Sequence, residues 1–308
     1  MTPLEGAGLP ALCDWNEIWK HQVEQNELEK GGSDYQGLWK DRSGAERFFK
    51  RSEGPSRDHN RITKTLANLP IARSSRILDI GAGPGSLAIP MAKRGVHVTA
   101  VEPADGMADI LEERIQNEGL TNIQVIRKAW EDCIPKELGG PFDITIASYS
   151  LGMKDLRQAI KSMENATRGT IALYWFASET PWEQDMAALW PVLHGRPYAG
   201  MPKCDILYNV LYQMGIFPNA VVFPIEYHDK YRTLEEALDH YRERLRAGSN
   251  HDAILRRFCE RRLIQVPDGY TIRETSMRVK FWWDTRILQS RAPDILRSDA
   301  RLTPLSLL

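Results

Sequence analysis

Apolar positions recur at helical spacing near the start of the chain and at strand spacing through its middle, and the change of period divides the sequence. Residues 14–26 place Trp15, Ile18, Trp19 and Val23 on one face, with Asp14 and Glu17 in a capping-box pattern, and predict an amphipathic helix. Residues 30–57 then turn polar, with Gly31, Gly32, Gly37, Gly44, Gly54 and Pro55, and predict a loop or mobile segment with short helical pieces. A second helix is expected from about Asp58 to Leu69, with Ile62, Leu66 and Leu69 on one side and Pro70 marking its end.

From Arg76 the pattern alternates. Short apolar runs at Arg76–Ile80, His97–Val101, Ile123–Ile126, Phe142–Ala147 and Thr170–Phe176 read as strands, separated by helical stretches at Ser86–Arg94, Met107–Asn117 and Asp155–Asn165. Strands alternating with helices indicate βαβ crossovers, hence a parallel sheet covered on both faces. After Phe176 the alternation lapses into an aromatic and proline-rich stretch over 178–204. A helix near Asp205–Met214 and a strand near Val221–Tyr227 follow, then two polar helices, about Leu234–Arg246 and His251–Ile264, and a last strand around Met277–Trp283.

Size and composition narrow the function classes. The 308 residues are 42% hydrophobic and 26% charged, an ordinary globular balance. With 40 Lys plus Arg against 41 Asp plus Glu, the net charge of −1 gives no global attraction to a polyanion, so nucleic acid is unsupported as a partner though not excluded. The longest apolar runs, such as Ile77–Ile80 and Val221–Pro224, fall far short of the roughly 20 residues of a membrane helix, and no signal-peptide pattern opens the chain, so a cytoplasmic protein away from the membrane is expected. Cys13, Cys133, Cys204 and Cys259 are widely separated, without a CxxC pair, and no metal is expected. Nine tryptophans are many for this length, and five of them lie outside the alternating region and the last strand.

The strongest chemical signal is Leu78-Asp79-Ile80-Gly81-Ala82-Gly83-Pro84-Gly85, directly after a strand and directly before a helix. Glycines there allow a sharp turn and close approach of backbone to a ligand at the carboxyl end of the strand, and the helix that follows offers unpaired N–H groups. A dinucleotide fingerprint wants G-x-G-x-x-G, whereas Ser86 holds the position three after Gly83 and the third glycine arrives one residue early. Asp79 would sit badly beside a pyrophosphate and well beside an ammonium. Glu102 ends the next strand, 21 residues after Gly81, where an acid can accept hydrogen bonds from ribose hydroxyls. The pattern favours an adenosine-bearing ligand over a plain tight turn with two solvated acids.

These residues resemble the class I S-adenosylmethionine-dependent methyltransferases, whose [D/E]-x-G-x-G-x-G motif stands here as D79-I-G-A-G-P-G85, and the resemblance covers about a third of the chain. It implies S-adenosylmethionine as methyl donor. Asp79, Gly81, Ala82, Gly83 and Gly85 would take the methionine part, and Glu102 the ribose. Pro103 and Met107, in the turn through Asp105 and Gly106, would lie near the adenine, with Ala129, Trp130 and Glu131 at its edge. Lys128 departs from the acid that many relatives carry. Ser148 and Tyr149 close the fourth strand, whose end faces the reacting methyl in the family. The fold implied is an α/β, Rossmann-like class I methyltransferase sheet, mostly parallel, of seven strands with a terminal antiparallel hairpin. Residues 1–70 form a helical cap, and residues 71–308 the catalytic domain with inserted segments at about 178–216 and 233–265.

The acceptor is less legible. Ser148-Tyr149-Ser150-Leu151 lacks the prolines of the [D/N/S]-P-P-[Y/F] turn of base amino-methyltransferases, which favours a small-molecule acceptor. In similar enzymes the N-terminal segment, here with Trp15, Trp19, Tyr35 and Trp39, and the segment 180–205, here with Trp182, Trp190, His194, Tyr198, Met201 and Cys204, build the acceptor pocket. Aromatic walls suit apolar, aromatic or cationic acceptors, although Trp15 and Trp19 read better as core. Candidates for catalysis are Tyr149, Ser148, His194 and His21. Seven arginines between Arg242 and Arg262 are an RNA or protein dock on one reading and a solvated helical face on the other. An RNA or protein methyltransferase, a nicotinamide-dependent oxidoreductase and a non-catalytic donor-binding protein remain the alternatives.

Overall fold

The computed structural model describes residues 13–30, 37, 39–52 and 59–289; Tyr35, Asp58, Gly31, Gly32, Gly54 and Pro55 lie outside them. Five parallel strands, β1 (Arg76–Ile80), β2 (His97–Val101), β3 (Ile123–Ile126), β4 (Phe142–Ser148) and β5 (Thr167–Phe176), fall where the short apolar runs predicted them. Three more follow, β6 (Asn219–Tyr231), β7 (Ile264–Val266) and β8 (Gly269–Asp284). The sheet runs in the order β3-β2-β1-β4-β5-β8-β6, with β8 antiparallel to β5 and to β6, and β7 pairing with β8 alone. The chain order reverses between β1 and β4, and the crevice at the carboxyl ends of these strands is where open α/β sheets bind ligands.

Among the described residues the expected seven strands are present and a short eighth, β7, joins them. The predicted helix His251–Ile264 stops at Arg262, and Ile264 begins β7, which turns through Pro267 and Asp268 into β8. Gly269 takes φ 129 at the foot of that hairpin, so Pro-Asp-Gly is a turn signal that helical periodicity on its N-terminal side obscured. The last two long strands also exceed their sequence estimates, because Tyr227–Tyr231 of β6 and Tyr270–Glu274 of β8 continue the ladder beyond the parallel body.

Two cores cover the sheet. On one face α1 (Trp15–Lys30), α6 (Leu156–Ala166) and α8 (Cys204–Gln213) bury Trp19, Val23, Ile160, Leu207 and Leu211 against Leu78, Leu173, Val279 and Phe281. On the other, α3 (His59–Ala67), α4 (Ala88–Lys93) and α5 (Asp105–Asn117) contribute Leu66, Ile89, Met91 and Leu111 to a core with Ile77, Val98 and Ile144. β1 and β4 are buried along nearly their whole length, with Ile77, Leu78, Ile80, Phe142, Ile144, Ile146 and Ala147 supplying the apolar positions of strands covered on both faces.

A third core lies off the body. α7 (Pro181–His194) packs with α9 (Leu234–Leu245) and α10 (Asp252–Arg262) around Met186, Trp190, Leu238, Tyr241 and Leu255. Thr180 starts α7 through a reciprocal capping box with Glu183, Pro181 follows in the first turn, and Gly195 ends the helix in the left-handed region. The glycine-containing segment after α1 includes an 11-residue helix, α2 (Arg42–Ser52). Asp41 starts it by accepting from Gly44 N at 2.9 Å, and Ala45 and Phe49 dock on Met107 and Ile110 of α5.

Candidate functional site

The glycine turn is anchored to the neighbouring strand. Gly81 N and Ala82 N both donate to Val101 O, at 2.8 and 3.1 Å, which places the turn after β1 beside the end of β2. Gly81 takes φ 69, and a Cβ there would meet Ser150 Cβ at 2.3 Å, so only glycine lets the β1 turn and the segment after β4 close on each other. Ser150 completes the contact by donating from Oγ to Ile80 O at 2.5 Å.

Two acids occupy this edge from adjacent strands. Asp79 is 2% exposed and pairs in register with Ala100, two residues before Glu102, which is 5% exposed. Glu102 accepts from Gly83 N at 2.7 Å through Oε2 and from Ala104 N at 2.8 Å through Oε1. Burial raises the Glu102 pKa above the ordinary glutamate range, and the two N–H bonds offset that only in part. Glycine backbone, a buried aspartate and a buried glutamate thus converge at the switch point. The position where a Cβ of Gly83 would stand has no atom within 4 Å, so a ligand can approach the backbone there. An ammonium, a ribose diol and a thioether-sized chain fit this donor set chemically.

The residues expected near an adenine divide by backbone and side chain. Pro103 is half-buried between Glu102 and Ala104. Ala129 leads into a short 3-10 turn, Trp130–Asp132, that follows β3. The indole of Trp130 turns into the core and donates from Nε1 to Ala159 O at 3.0 Å, so what this residue offers the crevice is backbone. Glu131 reaches the surface, and its pKa is raised, first by desolvation and then by the charges of Asp132 and Glu27. Met107 turns away into the contact with α2. Gly106 explains how close that contact is: its N donates to Lys40 O at 3.0 Å, and a Cβ there would meet Asp41 O at 2.5 Å. The chain before α2 therefore crosses the start of α5, one turn from Glu102.

Ser148 and Tyr149 stand where expected, at the end of β4. Tyr149 takes φ 58, a left-handed conformation costly for a residue with a Cβ, and its N donates to Tyr174 O at 3.0 Å. Its ring lies 5.3 Å from that of Phe176, at the end of β5. Arg278 of β8 lies over both rings, with Cζ 4.5 Å from the Phe176 centroid and 5.5 Å from that of Tyr149. Sequence reasoning missed Arg278 and Phe176, because only the antiparallel register Phe176 to Arg278 brings them to the β4 edge.

The histidines lie elsewhere. His194 closes α7, lies 4.2 Å from Trp190 with the rings tilted by 45°, and hydrogen-bonds Leu245 O through Nε2 at 2.8 Å, a packing contact between α7 and α9. His21 is exposed on the outer side of α1. The tryptophans also separate. Trp19 is core, donating from Nε1 to Met153 O at 2.8 Å, and Trp190 is buried among α7, α9 and α10. Trp182 lies between cations, 4.9 Å from Arg244 Cζ and 5.6 Å from Lys30 Nζ.

Three of the seven arginines in the stretch form ion pairs within the fold, and a fourth, Arg244, lies over the Trp182 ring. Arg242 pairs with Asp252 at 2.7 Å, Arg256 with Glu235, and Arg262 with Asp185 at 2.8 Å and with Glu274. Asp185 also accepts from Tyr241 OH at 2.7 Å, and its pKa is raised by burial against the opposing pull of Tyr241 and Arg262. Among the described residues no group of three or more potential metal ligands occurs, and no helix is long and apolar enough to cross a membrane.

Comparison with known proteins bears on this geometry. Residues 77–169 match the family model described as methyltransferase domain. An uncharacterized protein of Haemophilus influenzae is 28% identical over 199 residues, 59% of this chain and 69% of that one. A protein of Methanosphaera stadtmanae named as a ribosomal RNA small subunit methyltransferase A is 43% identical over 70 residues, 23% of this chain and 26% of its own length. Among solved structures, a candidate methyltransferase from Bacillus halodurans C-125 superposes with a TM-score of 0.51 at 11% identity, covering 73% of this chain and 99% of that one, a likeness of fold.

Proposed function

We propose that this chain, whose residues 77–169 match a methyltransferase domain, is a class I S-adenosylmethionine-dependent methyltransferase that moves the donor methyl to a small-molecule acceptor by in-line displacement. The observation that carries the donor side is the pair of buried carboxylates, Asp79 and Glu102, at the ends of adjacent parallel strands around the Gly81–Gly85 turn. Asp79 holds the methionine ammonium, the turn packs on the methionine chain, Glu102 receives the ribose hydroxyls, and the backbone of Pro103 and of Ala129–Glu131 borders the adenine. Bound there, the sulfonium supplies an already activated methyl group. What remains for the protein is alignment and exclusion of water, which such displacements demand above all.

Ser148, Tyr149 and Phe176 then border the methyl and receive the acceptor. A half-buried aromatic wall supports an organic acceptor of modest size. RNA is the second reading, favoured by the match to the ribosomal RNA methyltransferase. That match spans only 70 residues, and the engaged arginines between Arg242 and Arg262 weigh against a docking face there. Calorimetry with adenosylhomocysteine on the wild type, Asp79→Ala and Glu102→Ala tests the donor assignment. Both substitutions should weaken binding with the far-ultraviolet circular dichroism unchanged, and unchanged affinity in both would overturn it. Adenosylhomocysteine release with a small-molecule library, against total RNA, tests the acceptor class.

A further inference from the structure

A small cavity lies off the donor crevice, between α7, α9 and the part of the β6–β8 ladder that runs past the parallel body. Trp182 and Asp185 line it from α7, Tyr241 and Arg244 from α9, and Glu274 from β8. Glu274 stands four residues along β8 from Arg278, the ladder partner of Phe176, so at the rise of a strand it is roughly 13 Å from the end of β5.

Two carboxylates share one cation there. Arg262 donates from Nε to Asp185 Oδ1 at 2.8 Å and pairs through Nη1 with Glu274 Oε1, which leaves these three charged groups with one negative charge in excess. Asp185 Oδ2 accepts from the hydroxyl of Tyr241 at 2.7 Å. Glu274 Oε2 is buried and has no hydrogen-bond partner among the described residues. A buried carboxylate oxygen left without a donor is costly, and the fold keeps this residue in the wall of a cavity.

The rest of the wall narrows what could supply the donor. The Trp182 ring already attracts cations, with Arg244 Cζ at 4.9 Å and Lys30 Nζ at 5.6 Å from it. Met186 and Ile272 add apolar surface, which suits a hydrocarbon body rather than a bare ion. Among the described residues no group of three or more potential metal ligands occurs, so these acids are not set to chelate a metal.

We propose that this cavity binds a primary organic ammonium: Glu274 Oε2 receives its N–H, Asp185 shares its charge, and Trp182 and Tyr241 pack against its carbon body. The site stands apart from the donor crevice and does not rest on the function proposed above. The probes are butylamine and benzylamine with their neutral counterparts, butanol and benzyl alcohol, each titrated by calorimetry into the full chain at neutral pH without donor. At least one amine should bind about tenfold or more tighter than its alcohol, as hydrogen bonds to a charged group allow. Glu274→Gln keeps the shape and loses the charge, so it should bring the two within about threefold. Asp79→Ala removes the other buried carboxylate suited to an ammonium, and should leave the preference intact. Arg244→Gln takes a competing cation off the exposed rim, so it should strengthen the amine roughly twofold or more and leave the alcohol alone; it carries the test if Glu274→Gln does not fold. Alcohols binding as tightly as amines, neither amine binding, a preference lost in Asp79→Ala, or one unchanged in Glu274→Gln or, where that variant does not fold, in Arg244→Gln, would each overturn the inference.

Discussion

The carboxylate of Glu102 receives the N–H of Gly83 at 2.7 Å, so the acid that ends β2 and the turn that follows β1 act as one unit. A ribose competing for that carboxylate needs it ionised, yet burial raises its pKa. The sign follows directly. Stability from this group is present at low pH and lost as the pH rises through the raised pKa, whereas donor binding by the carboxylate is present above that pKa and lost below it. Adenosylhomocysteine affinity should therefore fall on acidification at a pH above the ordinary glutamate range. Glu102→Gln should remove that dependence and weaken binding at neutral pH by about tenfold, as lost hydrogen bonds to a charged group do. Calorimetry across a pH series checks both, and a flat wild-type profile down to the ordinary glutamate range would contradict the assignment.

Gly81 and Ser150 form a second test. Gly81→Ala adds the left-handed penalty of roughly 1–2 kcal/mol and drives a Cβ into Ser150 Cβ at 2.3 Å, so denaturant unfolding should show a loss above about 2 kcal/mol. Ser150→Gly removes the collision and leaves the backbone strain. The double variant should recover part of the loss, and a double-mutant cycle with no coupling would mean that the two loops separate freely.

The cluster of α7, α9 and α10 gives a third. Arg262 faces Asp185 and Glu274 together, and Arg262→Met would leave two carboxylates confined without their cation. Breaking such a pair costs about 3 kcal/mol or more when buried, and somewhat less here because Arg262 is partly exposed. Arg257 and Arg261 are exposed, and converting both to Gln should change stability by less than about 0.5 kcal/mol each. If that double variant instead lost a salt-dependent affinity for RNA, the docking reading of the stretch would return.

How legible the protein was in its sequence depended on the range of the interactions involved. The five parallel strands, the glycine turn and Glu102 are set by local period and by a short motif, and they stand where the periodicity placed them. α2 was hidden because Gly37 and Gly44 signal a loop, while the cap supplied by Asp41 and the apolar pair Ala45 and Phe49 becomes meaningful only against α5. β7 was hidden because its first residue, Ile264, closes the helical pattern and its three residues are too few to show strand alternation before Pro267. Side-chain direction was the least accessible property: Trp130 and Met107 lie at the expected places in the chain, yet their side chains face cores rather than the crevice. Arg278 and Phe176 are 102 residues apart, and no local pattern joins them.

Tyr149 offers the sharpest separation of stability from function. Its φ of 58 stores strain that glycine would release, roughly 1–2 kcal/mol in favour of Tyr149→Gly. The same change forfeits the ring pair with Phe176, about 0.5–1.5 kcal/mol, and the contact with Arg278, about 0.5–2 kcal/mol. With the apolar area of the half-buried ring lost as well, Tyr149→Gly should be less stable than the wild type by roughly 1–3 kcal/mol, yet bind adenosylhomocysteine normally. Methyl transfer to an acceptor found in the small-molecule library should nevertheless drop about tenfold, while Tyr149→Phe, which keeps ring and strain alike, should retain it. A residue held in a strained conformation only by packing would give the opposite result. Tyr149→Gly would then be more stable than the wild type and turn the acceptor over as well, and the end of β4 would lose its claim to the acceptor.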